Sequence, residues 1–211
     1  MDTKLLVVNG HPDPRPQRYC HALCDAYRQG AQSGGVNARF LNVGNLNHPF
    51  AAAGSANSSS DDLAHAIQAI RWATQLAIVF PLWLDAPPQA LYDLFDLAER
   101  SGAMFDGKAP RRAAHIVVTM DLPAFMHRSK FASNTRAPNK NSAMALPGVD
   151  ALEATFIGSV DRISNERRLR WLDTMSAFAA RIGQIHDPRP SLHARFAIPP
   201  LVWRSEPLYQ H

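Results

Sequence analysis

Cysteine is nearly missing from this chain: among 211 residues there are two, Cys20 and Cys24. Two thiols cannot fill a tetrahedral zinc shell. Their spacing of four puts them on one face of a helix, as core or half-buried residues in a reducing compartment, with a redox pair as the remote alternative. Long apolar runs are missing too. The best stretches, 76–84 and 113–120, fall short of the roughly 18 apolar residues of a membrane span. The opening MDTKLLVVNGHPDP holds neither the long apolar region nor the cleavage site of a signal peptide, so the expectation is a cytoplasmic protein without a membrane span. Charge of one sign is not concentrated anywhere. The formal net charge is +4, but the basic residues are scattered, which argues against nucleic acid and leaves only a weak attraction for small anions. His21, His48, His65, His115, His186, His193 and His211 show no metal-ligand spacing and read as surface or satisfied core, and no Ser-His-Asp grouping can be assembled.

What is present is a regular alternation of short apolar runs with helical periodicity. A strand is expected over 4–9, a helix over 17–32 with Ala22, Leu23, Ala26 and Tyr27 inward, and a second strand over 37–43. A Gly-, Asn- and Ser-rich loop follows to Ser60, where Asp61 and Asp62 open a helix carrying Leu63, Ile67, Ile70 and Ala73 on one side. Strands three and four fall at 76–80 and 114–120. Between them a helix over 88–100 buries Leu91, Leu94, Phe95 and Ala98. A polar stretch over 121–142 is expected to be an irregular functional loop, then a strand at 152–157. A last helix, capped by Ser164, should turn Leu169, Leu172, Met175 and Phe178 to the sheet and Arg167, Arg168, Arg170 and Arg181 to solvent. Strands that are apolar throughout indicate a parallel sheet covered on both faces: an α/β, doubly wound, five-stranded parallel architecture spanning 1–185, with a Pro-rich extension over 186–211.

In such sheets ligands bind outside the carboxyl ends of the strands. Three loops are therefore candidates: 10–18, 81–88, and the chain from Met120 onward. The first, GHPDPRPQRY, opens a helix, whose free N–H groups and dipole suit a phosphate. Pro12, Pro14 and Pro16 have no N–H, so the donors would be the amides of Gln17, Arg18, Tyr19 and Cys20, helped by the guanidinium of Arg15 or Arg18. The structural alternative is a Pro-rich turn that merely precedes a helix. In the second loop Trp83 is either a wall for a flat ligand or core filling.

The second loop also carries a family resemblance. Pro81, Leu82, Pro88, Leu91 and Asp96, spaced as they are after a strand and into a helix, are similar to the flavodoxin-like NAD(P)H:quinone oxidoreductases. His11-Pro12 resembles that family's phosphate loop. Thr119 to Arg128 and the closing Phe156-Ile157-Gly158-Ser159-Val160 with ERRLRWL resemble one of its subgroups. The resemblance covers about residues 4–182.

It implies a flavodoxin-like fold and bound FMN or FAD, with NAD(P)H as co-substrate and a quinone-like small-molecule acceptor. The flavin phosphate would lie on the Gln17–Cys20 amides near His11. The ring edge would meet Pro81, Leu82, Trp83, Leu84 and Asp85, and the pyrimidine end Thr119, Met120 and Asp121. Phe125, Met126 and His127 would roof the pocket where nicotinamide and acceptor alternate. The flavin would carry the hydride, so no catalytic side chain is assigned. A homodimer is implied, with Trp72, Phe105, Phe131 and Trp203 as residues to bury. The chain departs from the pattern at Gln17 and Cys20, where relatives have Ser and Asn, at Met120-Asp121 in place of Gly-Gly, and at Tyr92 in place of Lys. These altered loops favour the alternative of a non-catalytic, regulatory or redox-sensing partner protein.

Overall fold

Lys4–Asn9 (β1), Asn37–Asn42 (β2), Gln75–Pro81 (β3), Arg112–Thr119 (β4) and Val149–Ile157 (β5) form one sheet, every pairing parallel, in the order β2-β1-β3-β4-β5. The computed structural model describes residues 3–46, 60–83, 86–104, 112–123 and 146–182. The helices are Tyr19–Ser33 (α1), Ser60–Trp72 (α2), Gln89–Arg100 (α3) and Asn165–Ile182 (α4). This is the doubly wound order, with its reversal between β1 and β3.

The apolar strands are explained by two cores. Leu6 and Val8 of β1, Leu76, Ile78 and Phe80 of β3, and Ile116 and Val118 of β4 point to one face, where α2 and α3 bring Ile70, Leu91, Leu94 and Phe95. Leu5, Val7, Ala77, Val79 and Val117 point to the other, against Leu23, Cys24 and Tyr27 of α1 and Met175, Phe178 and Ala179 of α4. Strands buried on both sides need no polar alternation. The edge strand β2 differs: Asn37, Arg39 and Phe40 are exposed, and the Arg39 guanidinium lies 4.1 Å from the Trp72 ring centroid.

Helices α1 and α4 touch backbone to backbone. A Cβ on Gly30 would stand 2.0 Å from the Ser176 carbonyl oxygen, and one on Gly34 2.3 Å from that of Ala180. Glycine is required there by approach distance, since any side chain would force the helices apart.

On α4 two expectations are corrected. Leu169 is 60% exposed rather than turned to the sheet. Each three-residue step along a helix falls about 60° short of a full turn, so two such steps back from buried Met175 carry Leu169 out of the contact face. Arg168, expected in solvent, is half-buried, because seven residues are nearly two full turns and place it under Met175. Among the described residues no helix is long and apolar enough to cross a membrane. The extension beyond 182 lies outside the described residues, as do Phe105, Phe131 and Trp203.

Candidate active site at the carboxyl end of the sheet

The first loop is built by side chains bonding to the backbone two residues on. Asn9 ends β1 fully buried, and its Oδ1 accepts the His11 N–H at 3.0 Å. The Nδ1 of His11 accepts the Asp13 N–H at 3.0 Å, and Asp13 Oδ1 accepts the Arg15 N–H at 3.0 Å. Each is the short-range bond that lets polar side chains replace backbone turns. The loop rests directly on Gly44, where a Cβ would lie 2.8 Å from the Pro12 carbonyl oxygen. Because Nδ1 of His11 is an acceptor, its neutral ring carries the proton on Nε2. Burial, followed by the Arg18 charge, lowers its pKa. Its ring meets Trp83 edge to face, with centroids 5.7 Å apart.

Asp13 is the residue that sequence reasoning missed. Its carboxylate takes the guanidiniums of both Arg15 and Arg18, with Nη2 to Oδ2 distances of 2.5 Å in each pair, and the Arg15 bonds above all hold Asp13 far below the usual carboxylate range. The signal was the D-x-R-x-x-R spacing inside one loop. Arg18 therefore stands at the start of α1 as expected, but already paired. The Arg18 N–H makes a long bond to the Arg15 carbonyl, 3.3 Å. Those of Gln17, Tyr19 and Cys20 find no backbone acceptor among the described residues, as at any helix start. Of the donors expected of this turn, Gln17 and Tyr19 thus keep N–H groups without a backbone acceptor, while the Cys20 N–H serves its own thiol.

Below them Cys20 Sγ lies 3.4 Å from Thr119 Oγ1, tying α1 to the end of β4. Burial pushes the Cys20 thiol up to about 11 and the Cys24 thiol well above its ordinary value. Both stay protonated and unreactive, as core residues do. A buried feature also points to an absent partner: Asn9 Nδ2 has no hydrogen-bond partner among the described residues. The amide cannot simply flip, because its oxygen is held by the His11 N–H. A buried unpaired donor costs about 1–3 kcal/mol.

In the second loop Pro81 closes β3, Leu82 is buried, and Trp83 is 48% exposed. Trp83 is therefore a surface wall beside His11, not core filling. The Leu82 N–H donates to the Thr119 carbonyl at 2.8 Å, and Trp83 and Ala86 exchange backbone bonds of 3.1 and 3.0 Å. Those two amides are committed within the protein, which narrows the ring-edge donors expected here to Leu84 and Asp85, outside the described residues.

In the third loop Thr119 and Met120 are buried. Met120 packs into the α2/α3 core. Its N–H donates to the Ile157 carbonyl and its carbonyl accepts from Val160, at 2.9 and 3.1 Å. Asp121 is exposed, and partial desolvation, then the neighbouring Asp161 carboxylate, raises its pKa. Phe125, Met126 and His127 lie outside the described residues. No group of three or more His, Cys, Asp or Glu able to hold a metal occurs among the described residues.

The family model for the flavodoxin-like fold matches residues 3–177. The chain belongs to that family. Among solved structures it is similar to an NAD(P)H:quinone oxidoreductase from Methanothermobacter marburgensis, at 15% identity and a TM-score of 0.66, covering 89% of this chain and 100% of that one. It is also similar to an FMN-dependent NADH-azoreductase from Bacillus anthracis in complex with FMN, at 10% identity and a TM-score of 0.55, covering 86% and 99%. An NADH:FMN oxidoreductase in its apo form matches at 15% identity and a TM-score of 0.57, covering 88% and 92%. Identities this low carry the fold and not the chemistry. No curated protein sequence matches the chain.

Proposed function

We propose that this protein is a flavin-dependent oxidoreductase that passes hydride from NAD(P)H to a quinone or similar small electrophile. The observation that carries the reading is the meeting, at one end of the sheet, of the Gln17 and Tyr19 amides, which have no backbone acceptor among the described residues, with the exposed Trp83 ring held by His11. The two features suit the two ends of one ligand. Helix-start amides grip a phosphate, and an aromatic wall suits a flat, partly apolar ring. The solved relatives named above act on quinones, azo compounds or flavin with nicotinamide, and one holds FMN. A bound flavin would accept and deliver the hydride. This chain's part is then to bind and orient, with Trp83 covering the ring and His11 offering a neutral Nε2–H beside it.

FMN or FAD, NADH or NADPH, and the two-step use of one pocket are parts of the same proposal, as are a homodimer and a cytoplasmic setting. The test is reconstitution with each flavin, followed by NAD(P)H oxidation with and without a quinone. Quinone-dependent oxidation in the reconstituted protein is expected, and oxidation no faster than with free flavin would reject the reading. One observation favours a non-catalytic regulatory module instead. Asp13 occupies both loop arginines, placing a carboxylate where a phosphate needs cations.

A further inference from the structure

The two ends of the proposed cleft belong to distant parts of the chain. The phosphate end is the first turn of α1; the other is the loop Met120–Leu122. That loop is zipped to the segment after β5, with Val160 N–H donating to the Met120 carbonyl and Ser159 N–H to the Leu122 carbonyl, both at 3.1 Å. Beyond the Cys20–Thr119 contact beneath, this pair of loops is joined to α1 by a residue on neither. Arg168, in the first turn of α4, donates from Nη2 to the Val160 carbonyl. Its guanidinium lies 5.1 Å from the ring centroid of Tyr19, the first residue of α1. The Tyr19 hydroxyl returns a bond to the Arg168 carbonyl at 3.1 Å. The base of the latch is fixed, because Arg168 N–H donates to the Ser164 carbonyl at 3.0 Å.

We propose that Arg168 is a positioning residue that sets the spacing between the amide end of α1 and the Met120–Leu122 loop, so that a ligand with a phosphate at one end and a planar ring at the other is gripped at both ends together. The inference rests on the flavin reading above. A guanidinium suits the task because one group offers a directed N–H fork and a flat cationic face, so it can bond Val160 and stack on Tyr19 at once; an ammonium does only one of these well. When two subsites are held at fixed spacing, binding at one end raises the effective concentration of the ligand's other end at its own site. Riboflavin, which lacks the phosphate, scarcely senses that spacing. FMN does.

Three variants and two measurements test this. Arg168→Met keeps the apolar stem and loses the donors, Arg168→Lys keeps one donor for Val160, and Tyr19→Phe removes only the return bond. The affinities of FMN and riboflavin are measured for each protein, and amide hydrogen exchange is followed without ligand. In Arg168→Met the preference for FMN over riboflavin should fall about tenfold, with partial recovery in Arg168→Lys. Exchange should quicken both at Ser159 and Val160 and at His21, whose N–H closes the first turn of α1 on Arg18. An unchanged preference, equal weakening of both ligands, or faster exchange confined to Ser159 and Val160 would overturn the proposal. If Arg168→Met does not fold, Tyr19→Phe decides, since a lowered preference is expected and an unchanged one contradicts it. Should the wild-type protein bind neither flavin, the functional reading fails, and the exchange comparison alone settles whether Arg168 joins the two ends.

Discussion

Tyr27 and His115, 88 positions apart, meet in the α1/α4 core with the tyrosine hydroxyl 3.0 Å from Nδ1 of the imidazole. Thr155 Oγ1 closes the other side, 2.9 Å from Nε2, and Phe178 lies against the ring at a centroid distance of 4.2 Å. Both ring nitrogens are satisfied by hydroxyls, which can donate or accept, so it is burial of the ring and not a missing acceptor that keeps the imidazole neutral.

That geometry sets an acid limit on stability. Burial lowers the His115 pKa from 6.5 to about 3. The unfolded chain takes up the proton first as pH falls, so stability attributable to this group is full above pH 6.5 and is lost between there and about pH 3. The slope is at most about 1.4 kcal/mol per pH unit. Urea unfolding from pH 7 to pH 4, comparing wild type with His115→Gln, should show a shallower pH dependence in the variant. Equal slopes would contradict it.

Gly30→Ala sets two effects against each other. Helix propensity favours alanine by about 1 kcal/mol, whereas the added Cβ would stand 2.0 Å from the backbone oxygen of Ser176, a contact that no side-chain rotation relieves. Overpacking of this kind costs about 1–3 kcal/mol or more, so the clash should win. A midpoint lowered by several degrees is expected in thermal unfolding. A raised midpoint would mean that the helices separate easily.

The strands were legible in the sequence because burial on both faces makes runs such as LAIVF apolar throughout, and α3 because Leu91, Leu94, Phe95 and Ala98 repeat at helical spacing. The first helix was legible too, expected from residue 17 and observed over Tyr19–Ser33, whereas Trp83 was left between a ligand wall and core filling until its 48% exposure excluded the core. Less legible were contacts between residues far apart in the chain. Periodicity placed Leu169 inward because it tracks steps of three and four without fixing the centre of the buried stripe. Arg168 looked like one more solvated arginine among Arg167 and Arg170, since only the fold brings Tyr19 and Val160 to it. Asp13 was overlooked because the two arginines beside it were read as reaching outward to a ligand rather than inward to a neighbour.

Asp13→Asn separates these uses of the arginines. Asparagine keeps the acceptor for the Arg15 N–H and removes the charge that holds Arg15 and Arg18. FMN should bind more tightly to the variant, by less than about tenfold given the small worth of exposed ion pairs, and with a steeper loss of affinity in salt. Weaker binding would show that Asp13 serves mainly to shape the loop. That outcome would also remove the main support for a regulatory role.

Asp121 should behave oppositely to a paired carboxylate. Its pKa is raised by desolvation and by Asp161, so the group favours folding at low pH, and that contribution is lost as pH rises through its folded value. Asp121→Asn should therefore raise the unfolding midpoint at neutral pH, with the difference vanishing below about pH 4, near the ordinary carboxylate value. A lower midpoint at neutral pH would show that the carboxylate is needed as an acceptor in its turn.

Whether the end of the sheet between α1 and Trp83 holds a flavin is decided by binding alone. Titrating the purified chain into FMN and into FAD, while following the flavin ring fluorescence in wild type and Trp83→Leu, measures this without any turnover. The expected result is saturable binding of at least one flavin near one per chain, with quenching of the ring fluorescence that is largely lost in Trp83→Leu. Flavin fluorescence that stays as in free solution at every protein concentration, with both cofactors, would contradict it.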